Sequence, residues 1–174
     1  MIENFLLLLR VLVALPTSVG PTAPNASEIC SAVDSQTLEL QPRYANNIYR
    51  YQAVFADAAG VTPNDSEHVV NSKIAAWLNA NMHLLLCEQF NFTPVHGNLL
   101  KLAIARQSDP FIDDALRAWH IDLNQVDAVD GKTVIDYIVE KRDNAGSNEI
   151  LAMIYARYYA RFRAAGAKHA RELP

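Results

Sequence analysis

One polar, turn-rich segment separates two apolar helical patterns, and it limits the fold more than any other stretch of the chain. It runs from Ile121 to Asp136 and contains the pair Asp130–Gly131, which favours a turn. An apolar pattern ends just before it, near Trp119, and Thr133 is suited to begin a new helix after it. The sequence therefore predicts two helical units joined by a polar finger.

Each unit is predicted to be a pair of helices. In the first, an inner helix covers residues 99–104, and Asp109 is expected to cap a return helix with Pro110 in its first turn. In the second, an inner helix runs from Thr133 to about residue 141 and a return helix from Glu149 to about residue 165. Apolar side chains recur every four residues along that last helix: Ile150, Ile154, Tyr158 and Phe162.

This order of features resembles the ankyrin repeat, whose boundary reads roughly Gly-Ala-Asp-x-Asn, a loop, then Asp-Gly-x-Thr-Pro-Leu-His. Five positions agree with it directly: Asp122, Asn124, Asp130, Gly131 and Thr133. Two depart from it: Val134 replaces the proline and Asp136 the histidine. The resemblance covers about residues 97–173. It implies a stack of helical hairpins that binds other proteins through its finger tips and inner helices.

Two repeats are fewer than a stack normally needs to bury a continuous core. Residues 27–95 are therefore predicted to form an atypical helical cap on two ankyrin-like repeats at 96–174, within one all-α domain. In this cap, one helix is expected from Pro42 to Gly60, and another from Thr62 that breaks near Asn79. A short helix is expected to continue from there to Cys87.

The N-terminus resembles a secretory signal peptide, because an apolar run at residues 5–15 is followed by Pro16 and small residues. Residues 1–26 are predicted to be the leader, and Cys30 and Cys87 to form a disulfide in an oxidising compartment. The predicted location is periplasmic or secreted. The alternative is a cytoplasmic protein with two unpaired thiols, in which the apolar run packs on the domain.

Composition and motifs favour a binding protein over an enzyme. The formal net charge of −4 gives no general support for nucleic-acid binding, and no apolar run reaches the ~20 residues of a membrane span. No catalytic or dinucleotide fingerprint is present, so no cofactor, metal or catalytic residue is predicted. The less favoured enzyme hypothesis is a hydrolase in which His83, His96 or His120 meets a carboxylate only in the fold.

Five residues are the candidate contacts with a protein partner. Most aspartates in the second half are explained as caps or turn residues, and Asp114 and Asp127 are the least explained. The complete candidate set is Asp114, Asp127, Asp130, Tyr155 and Tyr159. The predicted function is a non-catalytic binding module, such as a periplasmic inhibitor or immunity protein that neutralises a secreted toxin or enzyme. The alternative is a cytosolic ankyrin-type adaptor.

Overall fold

The fold is mainly helical, which confirms the predicted all-α class. A computed structural model describes residues 26–34, 40–43, 46–85, 87, 98–128 and 130–174. Of the predicted leader, only Ala26 is among these residues, and His96 lies outside them. The helices of the described parts are α1 (Ala26–Asp34), α2 (Arg50–Ala58), α3 (Glu67–Asn81), α4 (Leu99–Arg106), α5 (Asp109–Asp113), α6 (Val134–Asp143) and α7 (Glu149–Ala164).

A β-hairpin replaces the first part of the helix predicted from Pro42. Strand β1 (Leu40–Arg43) pairs antiparallel with β2 (Asn46–Tyr49), with Leu40 opposite Tyr49. The two asparagines in β2 are weak helix formers, because their side chains compete for nearby backbone groups. The backbone of Tyr49 is extended and its N–H donates to Gln52 Oε1 at 2.9 Å, so the helix begins only at Arg50.

Helix α3 also begins later than predicted. Asp65 Oδ2 accepts the Thr62 N–H at 2.7 Å and closes a turn, and Ser66 is the residue that caps the helix. The helix ends at Asn81, within the stretch Asn79–Asn81 that was predicted to break it, and the Asn81 side-chain amide donates to the Trp77 carbonyl at 2.8 Å. A 3-10 turn follows at Met82–Leu84 in place of the predicted short helix.

The helices pack in a continuous series. Helix α3 contacts α2, α2 contacts α1, α1 contacts α4, α4 contacts α6, and α6 contacts α7. The predicted pairing of Cys30 with Cys87 is confirmed, since their sulfurs lie 2.07 Å apart and fix α1 to the chain that follows α3. The two cysteines are 57 residues apart in sequence. By the chain-entropy relation, such a crosslink stabilises the fold by about 4 kcal/mol.

Four aromatic rings join α2 to the segment that contains α5. Tyr51 and Phe55 of α2 meet Phe111 of α5 and the nearby Trp119, with ring centroids 5.6 to 6.2 Å apart and mostly edge to face. Aromatic pairs of this geometry add about 0.5–1.5 kcal/mol each beyond the area that they bury. This aromatic cluster fixes α2 against α5 and supports the groove described below.

The predicted finger is a turn in its described residues. The Asp127 N–H donates to the Lys132 carbonyl at 3.0 Å, and the Gly131 N–H donates back to the Asp127 carbonyl at 2.8 Å. Gly131 has φ of +68°, a conformation that glycine adopts without strain. Thr133 then caps α6 in a capping box with Asp136, as the sequence predicts.

Candidate protein-binding groove

A cavity of about 430 Å³ opens between α2, α3 and the segment that follows α5. Apolar residues form about half of its lining, and polar or charged side chains form the rest. We call it the Asp114 groove and define it by six of its lining residues: Gln52, Ala56, Val70, Ile74, Asp114 and Trp119. Concave surfaces that combine apolar side chains with convergent polar groups occur at binding sites.

A π-helical turn at Asp114–Ala118 orients the carboxylate that faces this groove. The Trp119 N–H donates to the Asp114 carbonyl, five residues back, at 2.9 Å. Such a turn holds one residue more than an α-helical turn and is frequent at functional sites. The turn follows directly on α5. Asp114 lines the groove, whereas Asp109 and Asp113 of α5 form ion pairs with α7.

Two of these aspartates point to α7 instead of the groove. Asp109 Oδ2 lies 2.9 Å from Arg157 Nη2, and Asp109 Oδ1 lies 3.2 Å from Arg161 Nη1. Arg161 also pairs with Asp113. The prediction that Asp109 caps the helix is therefore wrong: Ser108 precedes the helix, Asp109 is its first residue, and the arginines occupy the carboxylate.

Asp114 is half-buried and turns towards α2. Its Oδ2 accepts the Tyr51 hydroxyl at 2.7 Å and the Gln52 amide Nε2 at 2.8 Å. Among the described residues, no donor reaches Oδ1 and no cation is paired with this carboxylate. Burial raises the pKa of Asp114 and Asp113 adds to the rise, although the Tyr51 and Gln52 hydrogen bonds oppose it.

The charged residues that line the groove in the described structure are all acidic: Asp65, Glu67 and Asp114. Asp65 is neutralised, because Lys73 Nζ lies 2.7 Å from its Oδ2. Glu67 is exposed in the first turn of α3. The groove is consequently an electronegative site, and its deepest charge is the unpaired Asp114 carboxylate.

Asp127 and Asp130, predicted as partner contacts, surround a lysine that sequence reasoning missed. Lys101 is only 1% exposed, and its Nζ lies 3.0 Å from both Asp127 Oδ2 and Asp130 Oδ1. The Asp127 side chain is 4% exposed and that of Asp130 is 38% exposed. The finger is thus held to α4 by ion pairs. The signal for this was a single charge within the apolar run Leu99–Ile104.

The two candidate tyrosines lie on α7, away from the groove lining. Tyr155 is 5% exposed and packs in the core, and burial raises its pKa. The Tyr159 hydroxyl lies 3.4 Å from His169 Nε2. The structure therefore brings none of the other four candidates together with Asp114, and their contact with a partner stays a prediction.

A second polar cluster that the sequence did not reveal joins α6 to the C-terminal residues. Asp136 accepts the Ala170 N–H at 2.9 Å, and its Oδ1 lies 2.7 Å from His169 Nδ1. Burial opposes ionisation of Asp136, but hydrogen bonds from Ala170, His169 and Thr133 outweigh it and lower the pKa. The cluster fixes the end of the chain and does not face the groove.

The described residues give the hydrolase alternative no further support. His83 and His120 are exposed and are not part of the groove lining. No cluster of three or more His, Cys, Asp or Glu side chains there has the arrangement of a metal site. In the same part of the chain, no helix combines the length and apolar character needed to cross a bilayer.

Neither a protein-family model, nor a curated protein, nor a solved structure matches this chain. The likeness to ankyrin repeats therefore rests on the five boundary residues alone, and the function has to be inferred from the geometry of the groove.

Proposed function

We propose that the protein is a non-catalytic protein-binding module whose partner inserts into the Asp114 groove. One observation carries this proposal: the half-buried Asp114 carboxylate keeps one oxygen without a donor from the described residues. This oxygen is accessible rather than enclosed, so a group that enters the groove can reach it. A groove that leaves one such oxygen open suits a ligand that supplies the missing donor.

The composition of the groove supports binding more than catalysis. A carboxylate that acts in catalysis needs a nucleophile or a second acid or base held close to the substrate. The Tyr51 hydroxyl already donates to Asp114, and its pKa is raised by burial and by this carboxylate, so it stays protonated. The other carboxylates of the described lining are Asp65, which is paired with Lys73, and the exposed Glu67, whereas Gln52, Thr62 and Asn71 do not titrate.

The repeat-like half of the chain fits the role of a rigid support for this surface. We propose that α4–α5 and α6–α7 are degenerate ankyrin-like hairpins. The contact between α4 and α6 supports this, as does the finger between the two pairs. Asn124 adds a further link, because its Oδ1 accepts the Lys168 N–H at 2.8 Å and ties the finger to the end of α7.

The proposed setting is the periplasm or the extracellular space, where the protein would act as an inhibitor or immunity protein of a secreted toxin or enzyme. The Cys30–Cys87 disulfide favours an oxidising compartment, and the leader-like N-terminus agrees with export. The disulfide also favours this proposal over the alternative of a cytosolic ankyrin-type adaptor, since thiols are kept reduced in the cytosol.

Site-specific photocrosslinking in the native host tests the proposed function. Benzoylphenylalanine at Asn71, in the groove, is expected to trap one partner of defined mass. The same group at Ala160, on the exposed face of α7, is the matched control and is expected to trap none. Equal crosslinking from both positions would show that the groove is not the contact surface.

A further inference from the structure

We infer that the group which enters the Asp114 groove is an arginine side chain of the partner protein, with its guanidinium on Asp114 Oδ1. This inference rests on the proposed function and adds the chemistry of recognition to it. It follows from three properties of the groove: the direction of its hydrogen bonds, the sign of its charge, and the apolar surface around the carboxylate.

The hydrogen bonds make this end of the groove an acceptor site. Tyr51 donates its hydroxyl proton to Asp114 Oδ2. The Gln52 amide is oriented by two bonds, because its Oε1 accepts the Tyr49 N–H at 2.9 Å while its Nε2 donates to the same Oδ2. Oδ2 thus has two donors and Oδ1 has none from the described residues, although a carboxylate oxygen can accept two. The incoming group must therefore be a donor.

The charge of the groove requires that donor to be a cation. A neutral donor would fill Oδ1 but leave the half-buried Asp114 carboxylate without a counterion, in a lining whose other charged residues are Asp65 and Glu67. Lys73, the cation at the rim, already contacts Asp65 Oδ2 at 2.7 Å and the Gly60 carbonyl at 3.1 Å. A positive ligand would complement the groove and lower the pKa of Asp114.

The surroundings of Asp114 fit a long side chain better than a bare ion. Ala56, Val70, Ile74 and Trp119 line the cavity and can cover the methylene groups of a charged side chain. A metal ion would need several oxygen or nitrogen ligands, and the described residues contain no such cluster. Arginine suits the site better than lysine, because its guanidinium is planar and more weakly hydrated than an ammonium group, so it enters a partly apolar groove more readily while an N–H donates to Oδ1.

A pair of small ligands tests this inference on the full chain. N-acetyl-arginine amide and N-acetyl-citrulline amide are titrated into the ¹⁵N-labelled protein, while the Gln52 side-chain amide and the Trp119 indole signals are followed. Citrulline has nearly the same shape but no charge. The arginine ligand is expected to bind at least about tenfold more tightly, because a charge-assisted hydrogen bond to a carboxylate is replaced by a neutral one.

Two variants complete the test. Asp114→Asn is expected to abolish the preference for arginine over citrulline, whereas Asp143→Asn, an exposed change at the end of α6, should leave it intact. Equal affinity for both ligands in the wild-type chain would overturn the inference, as would no binding of arginine. If one of these two results is obtained but benzoylphenylalanine at Asn71 still crosslinks a partner, the proposed function stands while the arginine assignment fails.

Discussion

Lys101 is a charged side chain enclosed by the fold, and the finger supplies both of its carboxylate partners. Placing an ammonium group at 1% exposure is unfavourable unless it is paired. Removing one member of a buried pair costs more than the pair contributes, because it leaves the other charge in a poorly solvated site. At this position, the stability of the helical core depends on the conformation of the finger.

We expect Lys101→Met to lower the free energy of unfolding by about 3–5 kcal/mol, the usual cost of breaking a buried ion pair. The matched control is Lys132→Met, since Lys132 forms an exposed pair with Glu140 and should lose less than about 1 kcal/mol. Urea denaturation of both variants measures the difference. Similar losses in the two would contradict the structural role given to the Lys101 cluster.

The elevated pKa of Asp114 predicts how stability changes with pH. Folding raises this pKa above the ordinary aspartate value of 3.8, so the folded state disfavours the charged carboxylate. Its contribution to stability therefore falls as the pH rises from about 3.8 through the folded-state pKa. Relative to the wild type, Asp114→Asn should gain stability over that interval and keep the gain at neutral pH. Urea denaturation between pH 3 and 7 tests this, and a difference independent of pH would argue against it.

At the residue scale, sequence reasoning identified Asp114 by elimination, because no cap or turn explained it. It could not identify the partners, since Tyr51 lies 63 residues away and meets Asp114 only through tertiary packing. Asp127 was singled out by the same elimination, and a buried lysine explains its position. Both aspartates lack a local cap or turn role and instead contact a residue that is distant in sequence. The sequence alone does not identify that residue.

At the scale of secondary-structure elements, hydrogen bonds join the first turn of α6 to the C-terminal residues. Asp136 accepts the Thr133 N–H in the capping box and also the Ala170 N–H, while the Thr133 hydroxyl donates to the Lys168 carbonyl at 2.8 Å. Thr133 and Asp136, which cap α6, thus also hold the C-terminal residues in place. The local half of this arrangement was predictable from Thr133, but the contact with residues 168–170 depends on the path of α7.

Asp136→Ala is expected to cost at least about 1 kcal/mol through the lost cap and to release residues 168–172. Amide hydrogen exchange at Ala170 should become faster, with little change in the core of α4. Because folding lowers the pKa of Asp136 below 3.8, its stabilisation is complete above that pH and is lost as the pH falls through the folded-state pKa. Unchanged exchange at Ala170 would contradict the role of this carboxylate.

The disulfide is the other feature that joins distant elements. Reduction, or replacement of Cys30 and Cys87 by serine, should lower the free energy of unfolding by about 4 kcal/mol for a separation of 57 residues. Thermal unfolding with and without dithiothreitol measures this effect. The double serine variant is the control, because reductant should not alter it. A wild-type protein insensitive to reductant would show that the crosslink adds no stability.

For the whole molecule, export predicts a specific mature chain. If residues 1–26 are a leader, expression in the native host should yield a periplasmic or secreted protein whose first residue is Ser27. Mass spectrometry of the purified protein determines this directly. A chain that keeps Met1 and stays in the cytosol would favour the adaptor alternative.

Sequence reasoning predicted the helical class and most of the helices after residue 98, because their apolar periodicity and the Thr133 cap are local signals. It failed at residues 40–49, where a hairpin forms, and at Thr62, where Asp65 closes a turn before the helix. The groove was not predictable, because its walls come from α2, α3 and the π turn. Their proximity is a result of the whole packing.

The π turn at Asp114–Ala118 also gives a criterion for comparing sequences. On one side of it, Asp109 and Asp113 are fixed to α7; on the other, Trp119 is fixed among the aromatic rings. Deleting one residue between Asp113 and Trp119 would restore the i→i−4 spacing of an α-helix, and both anchors would keep nearly the same relative orientation because the π turn absorbs its additional residue. Homologues that have lost this residue would therefore keep both anchors without the π turn, so the length of this segment in an alignment would show which of them retain the turn.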